Sequence, residues 1–180
     1  MDLTLLHQGN VRIIQRILGL RISCLLHDCK CGIFIGEKMR KTYLLDTNIV
    51  SEFVKNKPNE QVLNFYMGRK SLCAISSVTW QEMTRGVNRM PEGKRKDCIQ
   101  NFIDNFGENV EVIPFDKFAA GICGEIQAAA EQDGKTLPNY DSQIAATAIS
   151  NGMILVTHNT ADFQTMKEKN FLRLEDWFSE

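Results

Sequence analysis

The stretch Thr42-Tyr43-Leu44-Leu45-Asp46-Thr47-Asn48-Ile49-Val50-Ser51-Glu52 decides how this sequence is read. A short β-branched, aromatic and aliphatic run stops at an aspartate, and a longer amphipathic pattern starts at once. Such a pattern predicts a buried strand feeding a helix, with a carboxylate at the joint. The alternation recurs downstream. Strands are predicted at Thr42–Leu45, Leu72–Ser76, Val110–Ile113, Ile154–Thr157 and Phe171–Leu174. Helices are predicted at Thr47–Val54, Asn59–Met67, Val78–Val87, Gly93–Phe106, Lys117–Gln132 and Ser142–Ser150, with short ones after Asp162 and Glu175. Strands alternating with helices define the α/β class, a parallel sheet covered by helices.

With 180 residues, of which 43% are hydrophobic and 24% charged, the chain has the bulk of one ordinary domain with one core. A formal net charge of -1 argues against a protein that coats duplex nucleic acid by neutralising phosphates, so contact with nucleic acid must be local or metal-mediated. Six irregularly spaced cysteines without a cleavable leader point to a reducing cytoplasm rather than to a disulfide framework. Cys24, Cys29 and Cys31 lack the second ligand pair that a zinc knuckle needs.

Residues 1–38 differ from the rest in carrying a positive balance, while residues 39–180 are net negative. Arg12, Arg16 and Arg21 interrupt the apolar run Val11–Leu26, which excludes a membrane span and a signal peptide. The segment reads as an amino-terminal extension, either a disordered stretch or basic amphipathic partner helix, or an upstream-start artefact with Met39 as the natural start. The globular α/β pattern is expected as one domain from residue 39 to residue 180.

In an open parallel sheet, ligands gather beyond the carboxyl ends of the strands. Asp46 ends the first strand there, Glu82 follows the second, Asp162 follows the fourth, and Asp141 opens the Ala-rich helix before it. Four carboxylates at one sheet edge would raise one another's pKa values unless a cation intervenes. A hard divalent ion such as Mg²⁺ or Mn²⁺ suits an all-oxygen donor set. The plainer expectation is that Asp46, Asp141 and Asp162 cap helices and that Thr79-Trp80-Gln81-Glu82 forms a capping box. Haloacid dehalogenase phosphatases need a second aspartate at position 48, where Asn stands, and receiver domains need an upstream acidic pair. Neither a Walker loop nor a Gly-x-Ser-x-Gly elbow is present.

Four segments, in order, resemble the PIN-domain toxins of the VapC and FitB type. They are Leu44–Glu52, Ser76–Gly86, Asp141–Ala148 and Val156–Phe163. The resemblance runs from about Met39 to Glu175-Asp176-Trp177. It implies a three-layer α/β/α sandwich with a central, mostly parallel sheet, and Mg²⁺-dependent (or Mn²⁺-dependent) endoribonuclease activity. It also implies a VapB-like antitoxin partner and a homodimer or toxin-antitoxin hetero-oligomer. Asp46, Glu82, Asp141 and Asp162 match the metal-coordinating, catalytic acids, and Asn48, Thr157 and Asn159 match polar groups that position water or substrate. A non-catalytic PIN-type interaction module and a metal-dependent DNA nuclease are the competing readings. Lys94-Arg95-Lys96 with Arg69, Lys70, Arg85 and Arg89 forms a candidate phosphate-guiding surface, against the plainer reading as a solvated helix face. Trp80 and Phe163 are candidates for base stacking, with core packing the stronger expectation.

Overall fold

The computed structural model describes residues 40–170 and 172–179. The expected extension over residues 1–38, with its cysteine trio and basic helix, lies outside the described residues.

Five strands, β1 (Tyr43–Leu45), β2 (Cys73–Ser76), β3 (Glu111–Ile113), β4 (Ile154–Val156) and β5 (Arg173–Glu175), form one sheet in the order β3-β2-β1-β4-β5. Every pairing is parallel, so the expected mostly parallel sheet is parallel throughout. Seven helices supply the crossovers among the described residues: α1 (Thr47–Glu52), α2 (Glu60–Arg69), α3 (Ser77–Asn88), α4 (Lys94–Asn109), α5 (Lys117–Gln132), α6 (Asn139–Ser150) and α7 (Thr160–Asn170). A single 3₁₀ turn, Lys70–Leu72, leads into β2.

Two-residue periodicity sorts the strand side chains between two cores. Leu45, Cys73, Ile75 and Val156 face an aromatic layer with Phe53, Tyr66, Phe102, Phe106 and Trp177. Leu44, Ala74 and Leu155 face the opposite layer with Ile126, Ile144, Ala145, Ala148 and Phe163. Parallel strands buried on both faces read as continuous apolar runs, which is why Tyr43-Leu44-Leu45 shows no polar alternation. The sandwich therefore has helices on both sides of the sheet. Trp80 is half-buried against the aromatic layer and Phe163 is fully buried in the other, so both rings serve core packing.

Short polar side chains set the helix starts. Asn59 accepts from the Gln61 and Val62 amides, and Asp116 accepts from those of Phe118 and Ala119. Gly134, at φ 70°, ends α5 in the left-handed conformation that glycine adopts without steric cost, and the Lys135 amide returns to the Ala130 carbonyl at 2.9 Å. Among the described residues, no helix is long and apolar enough to cross a membrane.

Candidate active site

Strand β1 is the topological switch point, since the chain goes from it to β2 on one side and later places β4 on the other. Asp46 leaves its carboxyl end and is the N-cap of α1, accepting from the Thr47 amide at 2.7 Å through Oδ1. Its Oδ2 receives the Asn48 amide and the Thr157 hydroxyl, each at 2.7 Å. Asn48 also donates to Thr157 Oγ1 at 2.9 Å, and its Oδ1 accepts from the His158 amide at 3.2 Å. Asp46 is only 6% exposed, and burial pushes its carboxyl above the usual range. The Thr157, Thr47 and Asn48 hydrogen bonds pull against that shift, while the Glu82 charge adds to it.

Glu82 sits on the second turn of α3 rather than the first, because α3 begins at Ser77 directly after β2. The expected capping box does not form. Ser76 is the N-cap and accepts from the Thr79 amide, which leaves the Glu82 carboxylate for the Thr47 hydroxyl at 2.5 Å. Thr47 is the site residue that the sequence reading missed. Its signal was its place one residue after a strand-end aspartate, on a helix facing the one that carries the second acid.

Asp141 and Asp162 are not caps either. Asp141 lies in the first turn of α6, whose N-cap position is held by Pro138 without a side-chain bond. Asp162 lies in the first turn of α7 and accepts from the Asn159 side chain. The Asn159 amide in turn donates to Thr157 Oγ1 at 3.1 Å, which ties the fourth acid to the network around the first. Asp141 is raised to about 6, first by burial and then by the charges of Asp46, Asp162 and Glu82. All seven residues singled out from the sequence therefore meet at one edge, and Asp141 feels all three of the other acids.

Every donor in this set is an oxygen, which is the chemistry of a hard divalent cation. The mutual repulsion recorded at Asp141 is the kind of conflict that such an ion removes. Among the described residues no three His, Cys, Asp or Glu side chains already stand as a closed ligand group. The four acids thus supply the kind of oxygen donors that a hard divalent ion takes.

The sheet order and the ordered acids define a PIN domain, and residues 43–169 match that family, so this chain belongs to it. Among its relatives is the tRNA(fMet)-specific endonuclease VapC of Shigella flexneri, 34% identical over 135 residues that make up 75% of this chain and 97% of that protein. Toxin FitB of Neisseria gonorrhoeae is 32% identical over 129 residues, 67% of this chain and 89% of that one. A solved structure of VapBC2 from Rickettsia felis, bound to a DNA fragment from its promoter, superposes with a TM-score of 0.64. It is 30% identical, over 76% of this chain and 98% of the other.

Proposed function

We infer that this chain is a metal-dependent endoribonuclease, the toxin of a type II toxin-antitoxin pair, and that it hydrolyses RNA phosphodiester bonds at the acidic cluster. The observation that carries this reading is the convergence of Asp46, Glu82, Asp141 and Asp162 at one sheet edge of a PIN fold, close enough for Asp141 to feel the charge of the other three. Mg²⁺ is the assigned cation, with Mn²⁺ as its substitute. Asp46, Glu82, Asp141 and Asp162 would hold it, directly or through water. When bound, the ion supplies an acidified water and stabilises charge on the phosphate oxygens.

The protein's own contribution is orientation. Asn48 and Thr157 fix the Asp46 carboxylate, Thr47 fixes Glu82, and Asn159 holds Asp162. Carboxylates held in this way need no rearrangement when substrate arrives. His158 forms no hydrogen bond with any of the four acids among the described residues.

The partner in this reading is an antitoxin protein, in a toxin-antitoxin hetero-oligomer or together with a toxin homodimer. The complex captured for the Rickettsia felis relative supports it. A cleft of about 190 Å³ supports it as well, with an apolar lining that includes Val50, Val54, Met83, Met90 and Ile103 and that Thr47 and Glu82 join. An apolar side chain followed by a cation would fill such a cleft and quiet the acids. The cytoplasm is the setting, because RNA and a co-made antitoxin meet there.

The test is cleavage of total cellular RNA by the purified, antitoxin-free chain in Mg²⁺, Mn²⁺ or EDTA, beside Asp46→Asn and Asp141→Asn. Discrete metal-dependent fragments, absent with both variants, are expected. A folded wild type that leaves RNA intact in either metal would overturn the nuclease in favour of a binding module.

A further inference from the structure

The loop after β4 carries a feature that the acid network does not use. The His158 imidazole stacks on the Phe178 ring, with ring centroids 4.1 Å apart and planes inclined by 29°. Its Nδ1 lies 3.3 Å from Asp176 Oδ2. Asp176 is itself fixed, accepting from the Phe178 amide at 2.9 Å and the Ser179 hydroxyl at 3.2 Å. The His158 backbone is anchored from the other direction by the Asn48 side chain, one hydrogen bond from the Asp46 carboxylate. Yet 58% of the His158 side chain remains exposed.

An exposed side chain held at its edge, on one face and through its backbone has lost rotamer freedom without gaining burial. Packing alone does not account for it, because Phe178 already rests against the aromatic core layer. The held ring leaves π-surface exposed on the loop whose backbone is tied through Asn48 to the Asp46 carboxylate. Single-stranded RNA is bound by stacking of its unpaired bases on aromatic and histidine rings. Stacking also suits this location electrostatically, since a base, unlike a phosphate, is not repelled by the carboxylates.

We propose that His158, stacked on Phe178 and held by Asp176, is a substrate-positioning platform on which a base of the RNA next to the scissile phosphate stacks. The proposal rests on the ribonuclease reading and adds a residue to it. His158 acts on binding, not on the bond being broken, so its loss raises KM and leaves kcat nearly unchanged.

The experiment compares wild type, His158→Ala, His158→Phe and His158→Lys in steady-state cleavage of a short single-stranded RNA containing the mapped cut site, with thermal unfolding of each variant. Expected for His158→Ala is a KM roughly tenfold higher at similar kcat, on the scale of losing one stacked base. His158→Phe restores KM and His158→Lys does not. Recovery by Lys alone would overturn stacking in favour of a phosphate contact. An Ala variant that loses thermal stability while keeping its KM would reduce the cluster to a tether for the chain end, and an Ala variant unchanged in both would dismiss the platform while the nuclease stands. If wild type cuts no RNA, the nuclease reading fails first and the platform falls with it.

Discussion

Asp46 and Asp141 face the same space, but the protein holds them in opposite ways. Asp46, at the end of β1, is more deeply buried and is surrounded by donors: a backbone amide, a side-chain amide and a hydroxyl. Asp141, in the first turn of α6, accepts no hydrogen bond among the described residues, and burial and three like charges all raise it. The first acid is built into the fold, and the second is held in place against its own electrostatics. Local support and functional tension are therefore divided between two elements of one site.

The largest effect that would sharpen this contrast is on catalysis. Asp141→Asn is expected to lower cleavage roughly a thousandfold, as loss of a group that stabilises transition-state charge does. The same change should stabilise the metal-free protein. A shift from 3.8 to about 6 would correspond to almost 3 kcal/mol if undiminished, and solvent screening of this half-buried group leaves about 1 kcal/mol. Differential scanning calorimetry at pH 8 in EDTA should show a midpoint about 3 °C higher. A variant that is both inactive and less stable would contradict the repulsion.

Thr157→Val comes next and acts on the other acid. It leaves the buried Asp46 Oδ2 with the Asn48 donor alone. The expected cost is about 1 to 3 kcal/mol in urea unfolding, with a clear fall in activity. If Thr157→Val were as mild as a surface change, the claim that donors build Asp46 into the fold would fail.

The pH dependence of stability follows from the sign of the Asp141 shift. The folded, metal-free protein holds this proton more tightly than the unfolded chain does, because the folded pKa is raised. Its stabilising contribution is fully present below about pH 4 and is lost as pH rises through about 6. Asp46 shifts in the same direction. Asp141→Asn should remove part of the decline between those values, measured as unfolding free energy against pH, and saturating Mg²⁺ should flatten it in wild type.

Thr47→Val has the smallest expected effect. It removes the hydroxyl that holds the partly exposed Glu82 and should lower cleavage only several-fold, with about 1 kcal/mol or less of lost stability. A collapse of activity equal to that of Asp141→Asn would mean that Thr47 touches the reacting groups themselves.

The sequence made the strand-end placement of the acids legible, because apolar runs ending at Asp46 and before Thr157 announce a parallel sheet and its functional edge. Helix α5 was legible to its boundaries, since Ala119, Cys123, Ile126 and Ala130 keep one buried face and Gly134 stops it, whereas Phe118, which the spacing places on that face, is 76% exposed. The capping roles were not legible. Asp141 and Asp162 resemble caps in local sequence, but α6 starts after Pro138 and α7 at Thr160, which moves both acids inside their first turns. The capping-box alternative for Glu82 fails for a similar reason: the choice between an amide on its own helix and the Thr47 hydroxyl across the site is a tertiary matter. The His158 stack was equally hidden, because it joins the loop after β4 to the chain's final turn.

The central strand gains β2 early, but β4 is drawn from far along the chain, and the Thr157 hydroxyl that completes Asp46 lies 111 residues away. During synthesis, the first acid therefore leaves the ribosome long before its last donor does. A polypeptide interrupted between Glu82 and Thr157 carries Asp46 and Glu82 but not the finished pocket. Strand order alone therefore delays completion of the Asp46 pocket until β4 and Thr157 have been made.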